Sequence, residues 1–300
     1  MKIANPALVD VRTDDHPTGV LGFRYLLEGE PNSPENFVML IAENLGHFKM
    51  VQHRHNFDQF RFTLKGKMNL GRGRILNEGD LCYFPEGTSY GPQDDPAGPV
   101  VLVVQFGGAS GYGYMSVDQY LSGREKLKET GRFDGPVYIR QEQGRTIKKF
   151  SINAIWEQSM GTRMLIPAPR YDDVVIMKPA AFRWTPLRAT PGVHRKLLGS
   201  FTERGTTAEM LRLEAGTTYV PPPTEAIRLA FVLDGEGQAA GQSLGTHFGL
   251  QIDPRETVAL SAKLKMELLL FTLPLLGSDW LPAQLPSTEA RPGESVQEAA

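Results

Sequence analysis

Cysteine is almost missing from this chain. Cys82 is the only one among 300 residues, so no internal disulfide framework can form, and a reducing compartment, the cytoplasm, is expected. An excess of charge of one sign is missing too. With 32 basic and 34 acidic residues, a net charge of −2 and a pI near 6.3, the chain has no positive field to draw in nucleic acid. Short basic runs such as "SGREKLKETGR" and "GRTIKKF" read as solvated faces. No apolar run reaches the length of about eighteen residues that a membrane span needs. The stretch up to Asp10 holds no long apolar core of a secretory signal. There is no G-x-S-x-G, and the glycines at 107, 108, 111 and 113 fit neither a dinucleotide fingerprint nor a P-loop. A soluble protein with a small-molecule partner is what these absences leave.

What is present is mostly short and β-rich. "NFVMLIAE", "QFRFTLKG", "GDLCYFP", "VVLVVQFGG" and, later, "AEMLRLEAG", "IRLAFVLDG", "GLQIDP", "TVALSA" and "MELLLFTLP" are separated by Gly, Pro, Asn and Asp, the pattern of antiparallel sandwiches and barrels. Helical signal is confined to the middle. "SVDQYLSGREKLKETG" has Ser116 as N-cap and a glycine stop at Gly131, and "IKKFSINAIWEQSMG" carries Ile147, Phe150, Ile155 and Trp156 near helical spacing. The length favours two cores over one. The tail rich in Pro, Ser, Glu and Ala is expected to be disordered.

The two β regions repeat one another. A shift of 169 residues brings Gly66 of the first onto Gly235 of the second. The same shift sets Pro222 against His53, Thr224 against His55 and Arg228 against Gln59. Whatever the histidines do in the first half, the second half does not repeat it.

In "VQHRHNFDQFRFTLKGKMNLG", residues i and i+2 of a strand share a face, so His53 and His55 project together and can share one ion or one water. Gly46, His53, His55, Gln59 and Gly66 follow the spacing of the first cupin motif. Gly79, Pro85 and Gly87 follow that of the second, with Tyr90 at its histidine position and Asp94 at its asparagine position. The chain therefore resembles a bicupin whose C-terminal copy is degenerate. The resemblance implies an all-β fold of two cupin (double-stranded β-helix, jelly-roll) barrels joined by a partly helical linker. Its parts are an N-terminal arm over 1–36, a first barrel over 37–110, the linker over 111–180, a second barrel over 181–281 and a flexible tail over 282–300, with a homodimer as the expected assembly.

Members of that superfamily hold a divalent metal through the motif histidines and a glutamate. The resemblance thus makes His53, His55 and Gln59 the candidate ligands of Fe, Mn, Ni or Zn, with Tyr90 as ligand, proton donor or substrate partner. Only two of four usual ligands remain, and an amide oxygen is a weaker transition-metal ligand than a carboxylate. Asp58 is a substitute carboxylate if the strand parity breaks before it. Arg61 and Thr63 share parity with Gln59 and are candidate substrate contacts inside the barrel. Phe60, Phe62 and Leu64 point outward, as sheet packing or a barrel-to-barrel interface. An inward guanidinium requires a partner, either an acidic side chain or a substrate carboxylate or phosphate. Tyr112 and Tyr114, at the exit of the first barrel, are candidate lid residues.

These residues support three functions. The first is metal-dependent dioxygenase chemistry on an anionic or aromatic substrate. The second is metal-free isomerase or epimerase chemistry with His53 as base and Tyr90 as acid. The third is a binding barrel without catalysis.

Overall fold

The computed structural model describes residues 1–16, 19–96 and 98–276; the predicted tail over 282–300 lies outside them. Two antiparallel seven-stranded sheets dominate. Across the first, the strands run Val175–Met177, Leu81–Phe84, Phe57–Lys65, Val100–Gly107, Phe37–Asn44, Gly19–Glu28 and Arg12–His16. Across the second they run Lys2–Ala4, Gly249–Ile252, Arg228–Asp234, Met266–Thr272, Thr207–Leu213, Val193–Ser200 and Thr185–Pro186. Smaller sheets of two and four strands cover the other side of each, so the fold is all-β.

The alternation of side chains along each strand sorts the apolar residues into three layers. Phe60, Phe62, Leu102, Val104 and Phe106 of the first sheet meet Ala208, Met210, Leu229, Phe231, Leu269 and Phe271 of the second in one shared core. Phe60 stacks on Phe271 with ring centroids 4.9 Å apart and meets Phe201 edge-on at 5.3 Å. The outward aromatic face expected at Phe60, Phe62 and Leu64 is thus packed against the second sheet. The intervening residues face the barrel interiors: Val101, Val103 and Phe84 in the first, Ala230, Val232, Leu268 and Leu270 in the second.

Strand pairing crosses the domain limits drawn on the sequence. Lys2–Ala4, from the arm, pairs with Gly249–Ile252 of the second sheet, while Val175–Met177, from the linker, pairs with Leu81–Phe84 of the first. Each barrel borrows an edge strand from a segment remote in sequence, which leaves fewer bare edges. In the linker, Ser116 caps a helix Val117–Lys128 through a capping box with Gln119. A second helix, Ser151–Met160, ends at Gly161 in the left-handed region. The helical reading of Ile147 and Phe150 is corrected: both lie on strand Arg145–Phe150, which pairs with Val137–Glu142. Pairing to a neighbour overrode an apolar spacing that helix and strand share. Among the described residues no helix is long and apolar enough to cross a membrane.

Candidate active site

Strand Phe57–Lys65 lies between Leu81–Phe84 and Val100–Gly107, so Gln59 and Arg61 project from a central strand into the first barrel. The segment ahead of it is tied to the end of the second motif by reciprocal backbone bonds. His53 N donates to Tyr90 O and Tyr90 N to His53 O, both at 3.0 Å. Gly87 N donates to His55 O at 2.7 Å. Gly87 has φ +76°, and a Cβ there would stand 2.3 Å from Pro167 O, so only glycine fits this turn. These ties bring the His53 and His55 rings within 4.9 Å of each other and the Tyr90 ring within 4.4 Å of His53.

The Tyr90 hydroxyl is the hub. It accepts from Gln59 Nε2 at 2.9 Å and Arg61 Nη2 at 2.9 Å, and lies 3.0 Å from His55 Nε2. Its one proton is therefore directed at the one acceptor in reach, the His55 ring, which is neutral. Burial pushes the His55 pKa well below the usual histidine value, with the charges of His53 and Arg61 acting in the same direction. Burial also raises the Tyr90 phenol, against the lowering effect of Arg61. At His53, Nδ1 donates to Val51 O at 2.8 Å, which leaves the Nε2 lone pair as the ring's free function. Burial lowers this imidazole too.

Arg61 is held by neutral oxygens. Nε donates to Gln59 Oε1 at 3.0 Å, Nη2 to Tyr90 Oη at 2.9 Å and Nη1 to Gln93 Oε1 at 3.5 Å, and its guanidinium carbon lies 4.6 Å from the Phe84 ring centroid. Among the described residues no carboxylate forms an ion pair with it. The ion-paired acidic partner that one reading required is not there: Asp95 is within electrostatic reach of the guanidinium but accepts from Asn69 N at 2.7 Å.

Three further residues complete the network without having been picked out as polar site residues. Gln105, paired in register with Gln59, donates to Gln59 Oε1 at 3.4 Å and accepts from the Tyr114 hydroxyl at 3.1 Å. Gln93 donates to Asn69 O at 2.9 Å. A lone glutamine within "VVLVVQFGG" was the available signal for Gln105. Tyr114 is buried, its ring edge-on to Phe57 at 5.2 Å, so it is a wall of the barrel rather than a lid. Thr63 is buried on the same face as Arg61, but its hydroxyl has no hydrogen-bond partner among the described residues and it does not join the network.

Asp58 does not restore a carboxylate here. It faces the inter-sheet side, where Tyr83 Oη and Glu86 N donate to it, each at 2.8 Å. Burial and the neighbouring Glu86 carboxylate raise its pKa to about 7. Asp94, at the asparagine position of the second motif, is exposed and paired with His47 and Lys49.

The donor set does not fit a tightly held transition metal. Two imidazoles are present, but Gln59 Oε1 already accepts from Arg61 and Gln105, and Tyr90 Oη from Gln59 and Arg61. Among the described residues no three His, Cys, Asp or Glu side chains gather as a ligand cluster. A dication beside the guanidinium would meet like charge in a partly desolvated place.

No family model and no curated protein matches the sequence. Solved structures do resemble the fold. A proposed dioxygenase from Nostoc punctiforme aligns with a TM-score of 0.60 at 11% identity over 91% of this chain and 82% of that one. HEPD from Streptomyces albus, with 2-hydroxyethylphosphonate and Fe(II) bound, aligns at 0.56 and 15% identity over 93% and 77%. Oxalate decarboxylase from Bacillus subtilis aligns at 0.51 and 12% over 90% and 75%. At these identities the likeness establishes the cupin-type fold, and the chemistry has to be argued from the site.

Proposed function

We propose that the first barrel is the active site of a cupin-type enzyme that moves a proton on a small organic anion, isomerase or epimerase chemistry, without a resident metal. One observation carries this reading: the Arg61 guanidinium occupies the Gln59 and Tyr90 oxygens and has no acidic partner among the described residues. A cation so held stabilises an incoming carboxylate or phosphate and the negative charge that grows when a neighbouring C–H is ionised. His53, with Nδ1 fixed on Val51 O and Nε2 free, serves as the base. Tyr90 serves as the acid. Its proton is shared with His55, and the phenolate left behind keeps the donors Gln59 Nε2 and Arg61 Nη2. Both imidazoles are held neutral by burial, the state a base requires.

The metal-dependent oxygenase reading rests on the paired imidazoles and on a fold shared with an Fe(II)-bound protein. It requires Arg61 to leave Gln59. Metal analysis of protein purified without chelator or a metal-affinity step separates the two readings. The expected result is far less than one Fe, Mn, Ni or Zn per chain, together with a small carboxylate that perturbs the His53 and His55 ring resonances in the parent and no longer does so in Arg61→Met protein. One metal per chain, lost in the His53→Ala/His55→Ala protein, overturns the metal-free proposal. Deuterium uptake from solvent into a bound ligand's C–H distinguishes catalysis from binding alone; a ligand that binds and never exchanges leaves a binding barrel.

A further inference from the structure

The second barrel carries its own charged centre, which the degenerate motif conceals. Arg228 opens strand Arg228–Asp234, and alternation sets it on the face of Ala230 and Val232, which line the barrel interior. Only 4% of the residue is exposed. Nη1 donates to Pro222 O at 2.9 Å, whereas Nε and Nη2 are buried without a hydrogen-bond partner among the described residues. Leaving donors of a buried cation unpaired is costly, and nearly all such groups in folded proteins find a partner.

The unpartnered atoms form one edge of the guanidinium, and Arg170 demonstrates what fills such an edge in this same molecule. There Nε and Nη2 hold the two oxygens of Glu203 at 3.0 and 2.7 Å, a bidentate pair. The nearest acid to Arg228 does not take this role. Glu209 faces the same interior from strand Thr207–Leu213, but its ion pair, at 3.7 Å, is with Arg195. Tyr219, the other ionisable neighbour, has its phenol pKa raised by burial and stays neutral. Arg195 is exposed, so Glu209 is shared between a surface cation and the buried one, and no carboxylate oxygen reaches Nε or Nη2 of Arg228. The residue that holds Nη1, Pro222, is exposed, so the guanidinium lies beneath the surface segment 221–223.

We propose that Arg228 is a second anion site, binding one small organic carboxylate per chain through its Nε–Nη2 edge inside the C-terminal barrel. The site is independent of the first barrel's chemistry and stands whether or not that barrel is an enzyme. Because Arg61 also invites anions, the test removes it. In Arg61→Met protein at constant ionic strength, ¹³C-labelled acetate is expected to bind saturably, one per chain. Adding Arg228→Lys, which keeps the charge but loses the forked edge, is expected to weaken binding by about tenfold or more. Equal affinity in the two proteins, or no saturable binding in Arg61→Met protein, overturns the proposal. A readout that leaves residue 228 intact guards against misfolding: in ¹⁵N-arginine-labelled Arg61→Met protein, the Arg228 Nε–H resonance shifts with acetate and not with equimolar chloride. An unmoved resonance refutes carboxylate binding, and an equal shift with chloride assigns the edge to a simple halide instead.

Discussion

The two barrels each turn an arginine inward and treat it in opposite ways. In the first, Arg61 lies over the Phe84 ring and donates to Gln59, Tyr90 and Gln93, with two imidazoles beside it. In the second, Arg228 keeps one carbonyl partner, and Pro222 and Thr224 stand where the histidines would. One scaffold thus carries a preorganised polar network in one copy and a bare cation in the other. The difference teaches that loss of a metal-ligand motif need not empty a barrel of chemistry. Under the metal-free proposal, a guanidinium supplies the positive charge that a metal would supply, and that charge is fixed in sign, planar and directional.

The largest expected effect tests whether the barrels are separable at all. Phe60 of the first sheet is almost fully buried against Phe201 and Phe271 of the second. Phe60→Ala should cost about 3–5 kcal/mol in urea unfolding, and Phe271→Ala a similar amount. The double variant should cost less than the sum, because both changes empty the same space. Two separate unfolding transitions in the parent would mean that the barrels are stable independently and that this shared core matters less than its burial suggests.

Next in size is the contrast in catalysis. Tyr90→Phe keeps the ring contacts with His53 and Phe84 but removes the oxygen on which His55, Gln59 and Arg61 converge. Turnover at the first barrel should fall by about 10²-fold or more, the scale of a lost acid or base. A variant as active as the parent would make Tyr90 a plug that fills an absent ligand's space.

Much of this was legible in the sequence, and the limits have physical causes. Strand parity is local, so Gln59 and Arg61 facing inward and Phe60 and Phe62 facing outward followed from a period of two. The Ser116 cap is equally local. Pairing partners are not: nothing in "KIA" announces that Lys2–Ala4 closes the second sheet, and nothing at Ile147 reveals that a neighbouring strand claims it. The spacing of the second motif brought Tyr90 to the histidines. The saturation of its hydroxyl depended on Arg61, whose partners beyond Gln59 come from the segment 90–93, remote in sequence. Gln105 joined through register with Gln59, a cross-strand fact.

A smaller effect separates the faces of the first sheet by pH. Asp58 lies on the inter-sheet side, its pKa raised to about 7 by burial and by Glu86, against a reference near 3.9. A carboxylate raised in the folded state contributes stability that is fully present below its unfolded value and is lost as pH rises through the folded one. Asp58→Asn should therefore flatten the decline of unfolding free energy between pH 5 and 8. An unchanged slope would mean that Asp58 is ionised throughout, held by Tyr83 and the Glu86 amide.

The smallest expected effect runs the other way and belongs to the first barrel's mouth. His53 and His55 have pKa values lowered chiefly by burial, His55 the more strongly, while their counterparts Pro222 and Thr224 do not titrate. A histidine whose folded pKa is depressed takes up protons in the unfolded chain first, so stability is full above the ordinary value near 6.5 and falls as pH drops below it, by about 1.4 kcal/mol per unit of depression. His53→Gln/His55→Gln keeps an acceptor for the Tyr90 proton and removes both titrations. The variant should lose less stability than the parent between pH 7 and 5, and the difference between the two proteins cancels the opposing contribution of Asp58. Arg61→Met should move the parent's profile part of the way toward the variant's, because the guanidinium charge lowers both imidazoles. Parallel pH profiles for parent and double variant would mean that the histidines are solvated in the folded protein, and His53 would then lack the environment that makes it a neutral base.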